Sequence, residues 1–356
     1  MQKPTHIRLI RAWLWLGIIL VSMMVLIGGI TRLTGSGLSM VEWKPVTGIL
    51  PPLDEQQWQE AFDAYKQFPE YQKINFTLEL QEFKGIFWWE YVHRLLGRFT
   101  GLAFLLPFLF FLIKKQLPGW LLKRLLLIFC LGALQGLMGW VMVKSGLQDI
   151  PHVSPYRLAA HLSLALLLIG VLLWTLKDLD TPQQQTVTPS PMQAYRLAQL
   201  LLLLVFSQIM LGAFVAGLKA GFSYNSFPLM GNSFFPHNAY SSAGELLSNG
   251  PAVQFMHRWF GFIVLATACY FVYASSQLKR QTALKKTGKG LLLVLLCQVI
   301  VGIATLMLRV PLVLGVVHQL VAVLLFALTV RALYQARLLV KQHSTNGPVQ
   351  PQMTNA

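Results

Sequence analysis

Residues 90–124 read EYVHRLLGRFTGLAFLLPFLFFLIKKQLPGWLLKR. A carboxylate, a histidine and two arginines open the stretch. An apolar run follows to Ile113, and basic residues close it on both sides of a Pro-Gly turn at Lys114–Lys115 and Lys123–Arg124. The run approaches the ~20 residues that a helix needs to cross the hydrocarbon core of a bilayer. Outward from it, such runs recur eight times, near 12–30, 86–113, 122–143, 158–176, 195–217, 253–276, 290–308 and 313–335. The 356-residue chain is 55% hydrophobic and only 12% charged, with a mean hydropathy of +0.55. Soluble domains carry about 25% charged residues. The predicted fold is all-α and integral to a membrane, with eight transmembrane helices.

A net charge of +16 invites a nucleic-acid reading, but its distribution rejects one. With the N-terminus inside, the inner side collects Lys3, Arg8, Arg11, Lys114, Lys115, Lys123, Arg124, Lys177, Lys285, Lys286, Arg331 and Arg337, among others. The outer loops collect the acids, including Asp54, Glu55, Glu60, Asp63, Glu70, Glu79 and Glu82. This asymmetry is the positive-inside pattern and places both termini in the cytoplasm. The first span follows basic residues as a signal sequence would, but no cleavage-type small-residue site follows it, so it reads as a retained helix. Nothing upstream has the Arg/Ser-rich character of a transit peptide, which favours a bacterial inner (plasma) membrane. Cys130, Cys269 and Cys297 all fall within spans, which excludes an outer-loop disulfide and predicts core positions for all three.

The stretch that opened this section has a near-copy. EYVHRLLGRFTGL (90–102) aligns with QFMHRWFGFIVLA (254–266), LQGLMGWVM (134–142) with CQVIVGIATLM (297–307), and LAAHLSLALLL (158–168) with GVVHQLVAVLLF (315–326). A Q-x-x-x-G spacing recurs as Gln135/Gly139, Gln208/Gly212 and Gln298/Gly302, while the first span keeps only Gly28 and Gly29. These matches predict two tandem, pseudo-symmetric four-helix bundles. The boundary falls in the Pro/Gln/Thr-rich linker 178–191, giving units 1–180 and 181–340 and a disordered cytoplasmic tail at 341–356. Two outer connections are long, at 31–85 and 218–250. Trp58, Phe62 and Tyr65 lie at helical spacing in the first and predict a short amphipathic helix on the membrane surface.

Four histidines mark the repeat: His93, His161, His257 and His318, each about one turn inside the outer end of its span. Ionisable residues within a membrane are costly and usually functional. Facing helices of one bundle present two imidazoles to opposite sides of a flat macrocycle, so the pairs His93/His161 and His257/His318 predict two bis-histidine heme sites. Zinc is weaker, because carboxylates or thiols at ligand spacing are missing. Gly97 and Gly261, four residues beyond their histidines, leave room for a macrocycle or for close helix packing. Arg94 and Arg258 stand where heme propionates would meet cations, or where they would snorkel to headgroups. Arg98 has no counterpart, since Phe262 replaces it. One asymmetry stands out: Glu90, a turn before His93, is matched by Gln254. A carboxylate can move protons and a carboxamide cannot. Chemistry is therefore assigned to the first half and electron storage to the second. His6, His152, His237 and His343 have no partners at ligand spacing.

These residues, with GGITRLTGSGLSMVEWKPVTGILPPL (28–53), PEYQKINFTLELQEFKGIFWWEYVHRLLGR (69–98) and SFPLMGNSFFP (226–236), make the chain resemble the heme A synthase family over about residues 12–340. The resemblance implies oxidation of a ring methyl of heme O to a formyl group, by successive hydroxylations and loss of water from a gem-diol, to give heme A for terminal oxidases. It implies that His93 and His161 flank the substrate heme O, with Glu90 beside the methyl. His257 and His318 would hold a heme b cofactor. A heme O synthase is the supplier that the resemblance implies. Some members carry an outer-loop cysteine pair; this chain has none there and resembles the cysteine-free proteobacterial and mitochondrial type. The electron acceptor, the source of the formyl oxygen and the oligomeric state, a homo-oligomer included, are not read from the sequence.

Two other classes compete. A diheme b-type electron-transfer cytochrome linked to quinol predicts two permanent hemes b, an identifiable quinone pocket and no chemical change to either heme; the one-sided Glu90/Gln254 exchange and the loop motifs argue against it. A transporter predicts paired helix breaks near the midplane, which the spans lack.

Overall fold

In a computed structural model, residues 5–42, 47–147, 152–180, 192–236, 239, 245–278 and 281–345 are described. Their helices are α1 (Thr5–Leu33), α2 (Glu55–Lys66), α3 (Pro69–Lys73), α4 (Leu80–Ile113), α5 (Gly119–Gly146), α6 (Pro155–Asp180), α7 (Met192–Gly217), α8 (Gly250–Ser276), α9 (Thr282–Met307) and α10 (Leu312–Thr345). Eight of these, all but α2 and α3, are long and apolar enough to cross a membrane. Each extends past the apolar run that announces it, because hydropathy sees only the part of a helix that lipid requires. The largest overrun is at the end of α10, where helix formers carry it to Thr345 through the start of the expected tail. Residues 346–356, the linker 181–191 and His237 lie outside the described residues.

The helices pack in the same order in both halves. α1 packs on α4 and α6, and α5 on α6; α7 packs on α8 and α10, and α9 on α8 and α10. α4 and α5 close the first ring only through sparse contacts. Between the halves, α6 meets α7, α1 meets α10, and α6 meets α10. One apolar core runs through both, from Ile10 and Leu14 of α1, through Leu166 and Ile169 of α6, to Leu201 of α7, Phe271 of α8 and Phe326 of α10. In lipid, such contacts hold helices by close packing rather than by expulsion of water, so small residues matter at crossings. Leu172 packs over Gly17, and Phe326 over Gly170, where an added Cβ would stand 3.6 Å from the neighbouring side chain.

α2 forms as its spacing predicts, capped by Asp54, whose carboxylate accepts from the Gln57 N–H at 2.8 Å. Its apolar face does not lie on lipid. Trp58, Phe62 and Tyr65 are buried against Phe83, Phe87 and Tyr91 of α4, which begins early enough to stand out as a post. A 3.6-residue aromatic stripe looks the same whether it meets a bilayer or another helix. The cysteines also depart from expectation: Cys130, Cys269 and Cys297 are exposed on their helices rather than in the core. A thiol behaves as a small apolar group and suits an outward, lipid-compatible face equally well.

Candidate functional site

The four histidines sit against four glycines, each from the preceding transmembrane helix. A Cβ added at Gly28 of α1 would stand 3.1 Å from His93 Nε2. At Gly139 of α5 it would stand 3.2 Å from His161 Cε1, at Gly212 of α7 3.1 Å from His257 Cε1, and at Gly302 of α9 2.8 Å from His318 Cε1. Real Cβ contacts are seldom so short, so any side chain here would move an imidazole. Three of these glycines stand in the repeated Q-x-x-x-G spacing, whereas the space expected beside the histidines was at Gly97 and Gly261. Beside those two, neighbouring side chains take up the room. Met24 Cε would lie 3.4 Å from a Cβ at Gly97, and Gln208 Nε2 3.3 Å from one at Gly261.

The residue four before each glycine completes the arrangement. Gln135 Nε2 lies 3.4 Å from His161 Nε2, and Gln298 Nε2 lies 3.3 Å from His318 Nε2. Gln208 donates to the backbone carbonyl of His257 at 2.8 Å. In α1 the position belongs to Met24, whose backbone meets the His93 ring. The glutamines and Met24 were missed as site residues, although the Q-x-x-x-G spacing signalled three of them.

The rings of His257 and His318 lie 6.4 Å apart between centroids, at 77° to each other. Two imidazoles binding one metal from opposite sides, each nitrogen about 2 Å from it, have centroids about 6 Å apart. The donor set fits that group in a second way. Nδ1 of His161, His257 and His318, and Oε1 of Gln135, Gln208 and Gln298, are buried without hydrogen-bond partners. Each such atom costs about 1–3 kcal/mol, so six gathered beside the histidine pairs mark polar sites, not plain helix packing. Among the described residues, no three His, Cys, Asp or Glu side chains gather as a metal would require. A macrocycle that brings its own equatorial nitrogens needs only the axial pair.

Glu90 is buried, at 2% exposure. Its Oε2 accepts from the Ser39 hydroxyl and the Met40 N–H, both at 2.8 Å, and its Oε1 pairs with Arg94 at 2.5 Å. Arg94 also donates to the carbonyls of Met40 (2.7 Å) and Glu42 (3.0 Å). In the second half Arg258 donates to the carbonyls of Tyr224 (2.7 Å) and Ser226 (2.8 Å), and Gln254 donates to Tyr224 at 3.0 Å. Both arginines thus tie an outer loop to the helix that bears the neighbouring histidine. The exchange of glutamate for glutamine follows the loop: Glu90 receives a backbone N–H, whereas Gln254 gives to a backbone C=O.

Above this site, Tyr65 donates to Glu70 Oε2 at 3.1 Å and accepts from Asn75 at 2.8 Å. Burial, reinforced by the charge of Glu90, pushes the Glu70 carboxyl up to about 7 although the Tyr65 hydrogen bond opposes it. Beside the site, the halves are tied directly. Gln319, next to His318, donates to Val25 O at 2.6 Å and packs on Gly29, next to the glycine that meets His93. Arg32 donates to the carbonyl of Ala216 at the end of α7.

Comparison with known proteins gives concordant matches. A protein from Parvibaculum lavamentivorans named heme A synthase is 43% identical over 323 residues, which span 90% of this chain and 92% of its own. Proteins of the same name from Nitrosospira multiformis and a Bradyrhizobium species are 45% and 46% identical, each pairing covering 91% or more of both chains. The model of the cytochrome oxidase assembly protein family (COX15-CtaA) matches residues 11–330, from the first turns of α1 to just past the middle of α10 and across all four histidines. The chain belongs to that family.

Proposed function

We propose that this multi-pass membrane protein is a heme A synthase, which oxidises a ring methyl of heme O to a formyl group by successive hydroxylations and so supplies heme A to terminal oxidases. The observation that carries the reading is a pair of like histidine sites of which only one has a carboxylate beside it. Residues 1–180 form the substrate half, where His93 and His161 flank heme O. Glu90, a turn from His93, takes the proton released as the methyl is oxidised. Arg94 holds the loop at Met40 and Glu42 over the polar edge of the substrate, and Arg258 does the same at Tyr224 and Ser226 in the other half. Residues 181–340 hold heme b between His257 and His318, with Gln298 and Gln208 beside the two ligands. When bound, that heme supplies a one-electron iron couple. The 6.4 Å ring separation and the unpartnered polar atoms support this assignment.

The charge asymmetry supports a bacterial inner membrane with both termini cytoplasmic. A heme O synthase delivers the substrate through the lipid, and an electron acceptor takes up the reducing equivalents. The test is pigment extraction and mass analysis after co-expression with a heme O synthase in a host that lacks heme A. Heme A or its hydroxylated intermediate establishes the activity. Heme B and unmodified heme O alone, from folded and heme-loaded protein supplied with its electron partner, move the assignment to a diheme cytochrome.

A further inference from the structure

The halves differ between their second and third helices. α8 and α9 pack closely, whereas α4 and α5 touch at few points. The aligned residues account for the difference. With His93 placed on His257, Gly101 of α4 matches Leu265 of α8; with Gly139 placed on Gly302, Gly132 and Gly136 of α5 match Leu295 and Val299 of α9. Leu295 is buried in the common core, and Leu265 packs against it. At Gly101, Gly132 and Gly136 an added Cβ would meet nothing within 4 Å.

Gly101, Gly132 and Gly136 are exposed, and on α5 the opening continues from the face that meets His161. Gly132 precedes Gly139 by seven residues, two helical turns, so it shares the side that meets His161. Gly101 follows His93 by eight residues, and both glycines lie about 10–12 Å deeper than the histidines at 1.5 Å per residue. Deeper still, Phe108 and Phe129 stack across α4 and α5 with centroids 6.3 Å apart, and Phe108 is buried. The slot therefore has a floor. At its head, His161 Nδ1 and Gln135 Oε1 are buried without partners, which points to a polar ligand there.

We propose that the seam between α4 and α5 is the lateral portal through which prenylated heme enters from the bilayer, with its farnesyl chain lying along the slot between Gly101 and Gly132. The proposal rests on the heme A synthase reading and goes beyond it. A farnesyl chain is stabilised by each carbon it keeps in lipid, so entry between helices avoids the loss that an aqueous route imposes. In the second half Leu265 and Leu295 fill the same seam. A heme held there exchanges slowly, as a resident cofactor should, while the substrate side stays open.

The test is heme O uptake by the purified full-length protein in nanodiscs, followed by the Soret band. Gly101→Leu and Gly132→Leu each install the residue of the second half, and Gly290→Leu, also facing open space but on α9, is the control. Either seam variant is expected to slow uptake about tenfold, equivalent to about 1.4 kcal/mol on the entry barrier, with the second-half heme content and the control unchanged. If Gly132→Leu loses that heme and so has misfolded, Gly101→Leu on the opposite helix decides. Wild-type uptake rates in the folded seam variants overturn the portal and leave the synthase reading standing. A wild-type protein that neither takes up nor converts heme O overturns both. Equal slowing of heme B, which has no farnesyl chain, overturns the placement of the tail.

Discussion

At the scale of single residues, the site depends on glycines as much as on histidines. Gly302→Ala would put a methyl 2.8 Å from the His318 ring, and a ring at the head of a packed helix cannot yield as a flexible chain end does. With heme b held as proposed, the expected outcome is its loss from most of the purified protein, together with its low-spin spectrum, by about tenfold or more in affinity. Gly290→Ala, which meets nothing within 4 Å, should leave both unchanged. For Glu90→Gln the expected result is a fall in turnover of about a hundredfold or more, the scale of a lost general acid–base group, with heme b retained. Since Glu90 also pairs with Arg94, Arg94→Gln is the necessary companion. Equal losses of turnover and thermal stability in both variants would reduce Glu90 to a structural partner. The histidines, Glu90 and its one-sided exchange with Gln254 were legible in the sequence, because rare polar residues in apolar spans declare themselves. The facing glycines showed in the repeated spacing, but their contact with the imidazoles and the place of Met24 did not, because nothing in a chain says which helix a glycine will meet.

At the scale of elements, the outer cap made by α2, α3 and the projecting end of α4 is held by aromatic packing and by the Tyr65–Glu70–Asn75 hydrogen bonds. Glu70 has a folded-state value of about 7, above that of an ordinary carboxyl. The fold therefore favours its protonated form. The contribution is complete at pH values below the ordinary carboxyl range and is lost as pH rises through 7. Hydrogen-exchange protection of α2 and α3, corrected for intrinsic rates, should fall between pH 5 and pH 8 in the wild type. In Glu70→Gln it should stay nearly level, and equal pH dependence in both would refute this account. The helix itself was legible from the Trp58, Phe62 and Tyr65 spacing. Its seat on α4 was not, since the stripe specifies an apolar surface without naming it.

At the scale of the whole molecule, the halves share a core and are stitched beside both sites. Gly28 meets His93 while Gly29 meets Gln319, the neighbour of His318, so one turn of α1 touches both. Gln319→Ala should lower thermal stability in detergent by about 1 kcal/mol through loss of the bond to Val25 O. A Cβ at Gly29 would overlap Gln319 Oε1, so Gly29→Ala should destabilise the wild type and be better tolerated in the Gln319→Ala background. A double-mutant cycle reads the coupling, and strict additivity would show that the two residues act separately.

The sequence by itself determined that eight helices are long and apolar enough to cross a membrane, because lipid accepts apolar side chains and a helix satisfies its own backbone there, and its motifs carried the resemblance to heme A synthase. Tertiary structure alone decided which glycine admits which imidazole, that α2 covers protein rather than lipid, and that the cysteines face outward. It also decided that α4 and α5 stand apart where α8 and α9 close. Hydropathy reports how a residue regards lipid, and an apolar core has nearly the same composition as the lipid-facing surface. The choice between them is made by packing across helices, which no single segment encodes.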